Sequence, residues 1–278
     1  MIRVVTDSAC DLPDALAEEL GIEIVPLSIR FGREEYVDRR DLTRQEFWTK
    51  LQNSDVLPET SAPSVGAFES TFRRLIDDGA TEIICVNLSS KLSATMQSAQ
   101  LAARAVDGNT TIEVLDSLNA SIGQGNLCVS AARMAAGGAD LSSILTLLKD
   151  QRRRTRLYGA LDTLEFLRKG GRIGGAQAFL GSMLSIKPVI TVIDGQVEPA
   201  TKVRTRSKAI NWVLEQSQKQ PIERLAVLHG DAPDIDEFVD RVKVLHPKAE
   251  LIVAQLGAVI GTHTGPRCVG LTWHDARP

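Results

Sequence analysis

"EIICVNLSSKLSATMQSA", residues 82–99, decides how the rest of the chain is read. Glu82 to Val86 make a short apolar strand of the kind that is covered on both faces in a parallel sheet. From Leu92 the period changes: Leu92, Met96, Ala99, Ala103 and Val106 recur at helical spacing and form one apolar stripe near 92–106. Between strand and helix crowd Ser89, Ser90, Ser93 and Thr95. Capping the helix occupies one hydroxyl, and three remain to be explained.

The same strand-then-helix order extends to both sides. Arg3-Val4-Val5 leads through Thr6-Asp7-Ser8 to a helix opened by Asp11-Leu12-Pro13, where Asp11 is the expected cap and Pro13 suits the first turn. Further strands are expected at Ile22 to Leu27 and Thr111 to Leu115, with a helix near 119–136. Ala120, Ser121, Gly123, Gly125, Cys128, Ala131 and Ala132 leave that helix almost without bulk, so it either admits a close neighbour or leaves space. After Gly137-Gly138 comes a helix from Asp140 to Asp150, and from Leu157 strands dominate: Leu157 to Leu161, Pro188 to Ile193, Leu225 to Leu228 and Leu251 to Val253. Helices are expected near 163–169, 205–218 and 233–245. The reading is α/β throughout, with an amino-terminal three-layer parallel-sheet domain over residues 1–155 and a carboxy-terminal two-layer mixed-sheet domain over 156–278.

Composition narrows the function. In 278 residues, 43% are hydrophobic and 24% charged, with net charge −3, which offers no electrostatic reason to expect nucleic acid. Cys10, Cys85, Cys128 and Cys268 stand far apart, without metal-ligand spacing, and read as buried free thiols in a reducing compartment. Strand residues from Ile2 onward leave no room for a cleavable leader, and the longest apolar run, 251–261, is too short for a bilayer, so a cytoplasmic protein with at most transient membrane contact is expected. No P-loop or G-x-S-x-G elbow is present, and Gly123-Gln124-Gly125 is a weak dinucleotide signal.

Four stretches carry polar chemistry in connecting positions. They are "TSAPS" at 60–64, the serine cluster, "LEFLRKGGRIGG" at 164–175, and "GTHTGPR" at 261–267, read as a polar loop around His263. Ser64 is a natural cap, which leaves Thr60 and Ser61 spare. Thr60, Ser61, Ser93 and helix-start N–H groups suit a cradle for an anionic head, since a buried carboxylate must be hydrogen-bonded. A protonated His263 would add countercharge. Two rivals stay open: a serine hydrolase pairing Ser93 with His263, and a carrier of another anionic metabolite.

"TDSACDLP", "TSAPS", "SSKLSATMQSA", "VLDSLNASIGQG", "TLEFLRKGGRI", "SIKPVITVIDGQV" and "GTHTGPR" occur in the order found in the DegV family, and the resemblance covers nearly the whole chain. It resembles in particular the fatty-acid-binding subunit of the bacterial fatty acid kinase system, which serves phospholipid synthesis. The resemblance implies two α/β domains enclosing one long-chain fatty acid, no catalytic residues or catalytic cofactor, no metal, and a separate ATP-dependent kinase subunit that phosphorylates the carboxylate to an acyl phosphate. By position it implies Thr60, Ser93 and His263 at the carboxylate, with Ser61 and the Ala94 backbone as lesser members, and Arg172 and Arg204 at the kinase. The family's usual glycines are replaced by Ala94 and Arg267, the latter expected to bring a cation near His263. The small helix at 119–132 is expected to give the tail its room. A tail of roughly fourteen methylenes at ~0.8 kcal/mol each offers about 11 kcal/mol before entropic losses.

Overall fold

The computed structural model describes residues 1–106, 108, 110–181 and 186–277. The first strands and helices are β1 (Ile2–Asp7), α1 (Asp14–Glu19), β2 (Ile22–Val25), β3 (Ser28–Phe31), β4 (Glu34–Val37), α2 (Arg44–Gln52) and β5 (Glu59–Ser61). Next come α3 (Val65–Asp77), β6 (Glu82–Asn87), α4 (Thr95–Ala105), β7 (Thr111–Asp116), α5 (Ile122–Ala136) and α6 (Leu141–Arg154). α6 runs directly into β8 (Thr155–Ala160), followed by α7 (Glu165–Lys169), β9 (Lys187–Ile193), β10 (Gln196–Val203) and α8 (Arg206–Ser217). The chain ends with β11 (Ile222–His229), α9 (Ile235–Leu245), β12 (Leu251–Gln255), α10 (Ala258–Thr264) and β13 (Val269–Asp275). Ser185, which opens the sixth of the ordered motifs, lies outside the described residues.

Among the described residues, three sheets result. A four-stranded sheet in the order β2-β1-β6-β7 is parallel throughout, as the alternation of apolar strands and amphipathic helices requires. α3 and α4 cover one face, where Val5, Ile83 and Cys85 meet Phe68, Phe72 and Ala99. α5 covers the other, beside Val4, Ile84 and Val86. The second sheet, β10-β9-β8-β13-β11-β12, is mixed, and α8 and α9 pack on one side of it against Leu225, Val227 and Trp273. The third is a small antiparallel sheet, β4-β3-β5, and it carries Thr60 on β5 opposite Ile29.

α5 lies between the two large sheets, and every residue from Ile122 to Ala131 is buried. Its small residues are therefore a packing requirement. A Cβ on Gly125 would stand 2.8 Å from the Cys10 carbonyl oxygen and 3.0 Å from Leu12 Cγ, and one on Gly123 would overlap the Asn119 side chain and reach Leu157 Cδ1 at 3.4 Å. The expectation that these glycines leave room for a tail is thus corrected: backbone and core side chains fill that space.

Other differences have equally local causes. Asp11 does not cap the start of α1, whose N-cap is Pro13; it is buried at φ 50, at the end of the short 3-10 turn Ser8–Cys10. The stretch 261–267, expected as a polar loop, is helical as far as Thr264, where it forms the end of α10, whose residues Ala258, Val259 and Gly261 are buried. Strands β3, β4, β5, β10 and β13 went unread. In β13, Leu271 and Trp273 face α8 while Thr272 and His274 face inward, so a strand with both faces buried shows polar alternation.

Packing of α5 this close predicts that Gly125→Ala lowers stability by about 1–3 kcal/mol through overpacking, with the urea midpoint shifted down at unchanged slope.

Candidate functional site

A cavity of about 190 Å³ opens where the two large sheets face each other. That is roughly ten times the space one water needs. Leu27, Leu88 and Leu92 line it from one side, and Leu157, Ile190 and Leu228 from the other. Among its polar lining groups are Thr60, Ser93, Arg172 and His263, of which Thr60 and His263 are bonded to each other.

His263 stands in the last turn of α10, and Thr60 comes from β5. Their side chains meet at 2.9 Å, Thr60 Oγ1 to His263 Nε2. His263 Nδ1 is buried, has no hydrogen-bond partner among the described residues, and lies against Gly170, where a Cβ would overlap it. A proton on Nδ1 would be a buried donor without an acceptor, so Nε2 carries it and donates to Thr60 Oγ1. The Thr60 hydroxyl proton is then free to donate into the cavity. The imidazole is neutral: burial, and then the Arg172 charge, push its pKa down to about 4. The countercharge that a protonated His263 would supply is therefore replaced by a neutral hydrogen-bonding group.

Arg172, expected at a partner surface, lines the cavity. Its Nη1 donates to the Gly170 carbonyl oxygen at 2.7 Å, and its Nε to the Leu92 carbonyl at 3.2 Å, next to Ser93. Arg204 is exposed. The paired glycines of "KGGR" divide two tasks: Gly170 admits the His263 ring, and Gly171, at φ 69, turns the chain out of α7.

The serine cluster resolves residue by residue. Ser89 is buried and donates to the Gly195 carbonyl at 2.7 Å, and Ser90 binds the Asp116 carboxylate at 2.5 Å. Ser93 Oγ accepts from the Thr95 N–H at 3.2 Å and shares a 2.8 Å bond with Thr95 Oγ1, while Ser93 itself lines the cavity. Ser93 and His263 are not bonded to each other, and no carboxylate orients Nδ1, so the nucleophile–base pairing lacks its geometry. Ser61 drops out of the cradle: successive strand side chains point to opposite faces, so with Thr60 turned inward Ser61 is exposed. Ser64 caps α3, accepting from the Ala67 N–H at 3.1 Å.

The two departures from the family's glycines differ in consequence. Ala94, at φ −78, has an ordinary conformation and lines the cavity. Arg267 sits at φ 64, in the left-handed region, where a non-glycine residue is strained by roughly 1–2 kcal/mol. Its side chain pairs with Asp162 at 3.2 Å, so its charge is directed there and not at His263.

Sequence reasoning missed Asp11. It is buried, accepts from Ser121 Oγ at 2.6 Å and from the Gly257 N–H at 2.7 Å, and so joins the start of α5 to the start of α10. Its one signal was an acid set between small residues and a proline in "SACDLP". The four cysteines are free and buried. Among the described residues there is no cluster of three or more His, Cys, Asp or Glu able to hold a metal, and no helix is long and apolar enough to cross a membrane.

The fold and cavity define a class, that of α/β proteins with an apolar cavity between two sheets. Within it the chain belongs to the DegV family: residues 1–275 match the family described as "Uncharacterised protein, DegV family". A DegV domain-containing protein of Halalkalibacterium halodurans is 36% identical over 280 residues, covering 98% of each chain. A Thermus thermophilus structure, reported for fatty acid binding of a DegV family protein, is 36% identical and superposes with a TM-score of 0.90 over 99% of both chains. A stearic acid-binding protein from Eubacterium ventriosum is 28% identical, with a TM-score of 0.93 over 99% of this chain and 98% of that one.

With its folded pKa near 4 and the free imidazole at about 6.5, His263 is protonated first in the unfolded chain. Its contribution to stability is therefore present above pH 6.5 and lost as pH falls toward 4. Histidine NMR is expected to show this ring neutral at pH 6, and Gly170→Ala, by displacing it from Thr60 toward solvent, to raise its pKa toward about 6.5.

Proposed function

We propose that this protein binds one long-chain fatty acid in the cavity between its sheets and presents the carboxylate to a separate kinase subunit. The observation that carries the reading is a cavity with apolar walls on both sides that also exposes Thr60, bonded to His263, together with Ser93 and Arg172. The fatty-acid-binding relatives with the same fold support it. In this reading residues 1–155 and 156–278 are two units that each supply one wall, and the protein is a carrier without catalytic residues.

The head group is held chiefly by hydrogen bonds. The Thr60 hydroxyl donates to one carboxylate oxygen, with its other side fixed by His263. Ser93 and the Ala94 N–H at the start of α4 offer further donors, and Arg172 supplies the positive charge. ATP-dependent phosphorylation of the presented carboxylate to an acyl phosphate, with Arg204 facing the kinase, rests on the resemblance of the ordered motifs to the kinase-system subunit.

Native mass spectrometry of protein purified from cells is expected to find a stoichiometric fatty acid. Protein that is empty and cannot be loaded would defeat the reading. Thr60→Val keeps the side-chain shape but removes a bond to a charged group, worth about 1.5–3 kcal/mol, so fatty-acid affinity should fall roughly 10- to 150-fold. With a bacterial fatty acid kinase subunit and ATP, acyl phosphate trapped as the hydroxamate should form from loaded protein. Arg204→Glu should slow that step roughly tenfold, the effect of about 1.4 kcal/mol, without changing fatty-acid retention.

A further inference from the structure

Several glycines of the chain are dictated by close neighbours. A side chain at Gly170 would overlap His263, one at Gly195 would overlap Ser89, and one at Gly270 would overlap the Tyr158 carbonyl. Gly159 is different. It lies inside β8, paired with Ile190 on one side and Gly270 on the other, and its φ is outside the left-handed region. A Cβ built on it would meet Cys268 Sγ and Ile190 Cγ1 at 3.7 Å, an ordinary contact. Neither conformation nor crowding requires glycine there, although glycine within a strand weakens it and marks places where something approaches the backbone closely.

What Gly159 does face is the cavity. It lines the wall together with Leu157 and Leu161, its neighbours two residues away on the same face of the strand. Ile190 Cγ1 flanks it on the adjacent strand. The wall at this point is bare main chain bordered by branched side chains. We infer that Gly159 is a specificity-determining residue: the missing side chain is the room that long acyl chains occupy, and the residue at this position sets the longest chain accepted. This rests on the proposed reading of the cavity as a fatty-acid site.

The test compares delipidated wild-type protein with Gly159→Ala and Gly159→Val, titrated with decanoic and stearic acid and read by native mass spectrometry and calorimetry. Each methylene turned out of the cavity lowers affinity roughly fourfold. Gly159→Val, displacing about two, should therefore lose roughly 15-fold for stearic acid and stay within about twofold for decanoic acid. Gly159→Ala should lose less in the same order, with an unfolding midpoint no lower than wild type, which separates selectivity from damaged folding. Equal losses for both acids, or undiminished stearic acid binding by both variants, would overturn the assignment while leaving the fatty-acid reading intact. Wild-type protein that takes up neither acid would overturn both.

Discussion

Asp11 is the constraint on which the cavity depends. A carboxylate withdrawn from water is unfavourable unless donors surround it. Here Ser121 Oγ and the Gly257 N–H supply two, and the Arg44 and Arg39 charges lie near. Burial raises its pKa to about 6, with those donors and cations opposing the shift, so it remains ionised at neutral pH. Each bond holds a different part of the site. Ser121 begins α5, the helix between the sheets; Gly257 begins α10, whose last turn places His263 beside Thr60. A Cβ at Gly257 would stand 3.1 Å from Asp11 Oδ1, so this junction tolerates little bulk. One buried acid thereby couples the position of the polar cluster to that of the apolar walls.

The two parts of the proposed ligand call for opposite environments, and the fold supplies both with few charged groups. Hydrocarbon requires only space bounded by apolar atoms, which two sheets held apart by α5 provide near the amino-terminal end of that helix: Ala120 and Ser121 line the cavity, whereas Gly123 and Gly125 are packed against Leu157 and Cys10. The carboxylate requires donors that are already oriented. His263 serves by fixing Thr60, and α7 serves by ending in Gly170, whose lack of a side chain admits the imidazole. Arg172 spends two of its donors on carbonyl oxygens of Gly170 and Leu92, which anchors the guanidinium where its charge bears on His263.

Much of this was legible in the sequence because local period and tertiary role agreed. Strands such as Glu82 to Val86 are apolar on both sides because helices cover both faces of the parallel sheet, and Ala99 and Ala103 of the expected stripe lie on the face of α4 that meets it, whereas Leu92 precedes that helix and lines the cavity. Thr60 and His263, 203 residues apart, were brought together only by the ordered motifs of the family; no spacing rule connects them. What stayed hidden was set by neighbours remote in the chain. Asp11 resembles a cap until Gly257 is placed beside it. The glycines of α5 are ambiguous until Cys10 and Leu157 are seen to press on them. Arg172, at the end of a basic helix, reads as a surface cation until its partners turn out to be backbone carbonyls inside the site.

The neutrality of His263 bears on how a carboxylate could be both held and given up. A fixed cation pairing bidentately with the head would occupy its oxygens and lower their basicity, opposing transfer of a phosphoryl group to them. A hydroxyl donating one hydrogen bond leaves other lone pairs free. Burial and Arg172 keep the imidazole unprotonated, but a carboxylate nearby would favour its charged form and raise that pKa. The imidazole is thus able to add positive charge beside that of Arg172 when an acid is present. The same environment that makes His263 a poor base makes it an orienting group for Thr60. On the proposed reading, that leaves the oxygens of a bound acid open to chemistry performed by the partner.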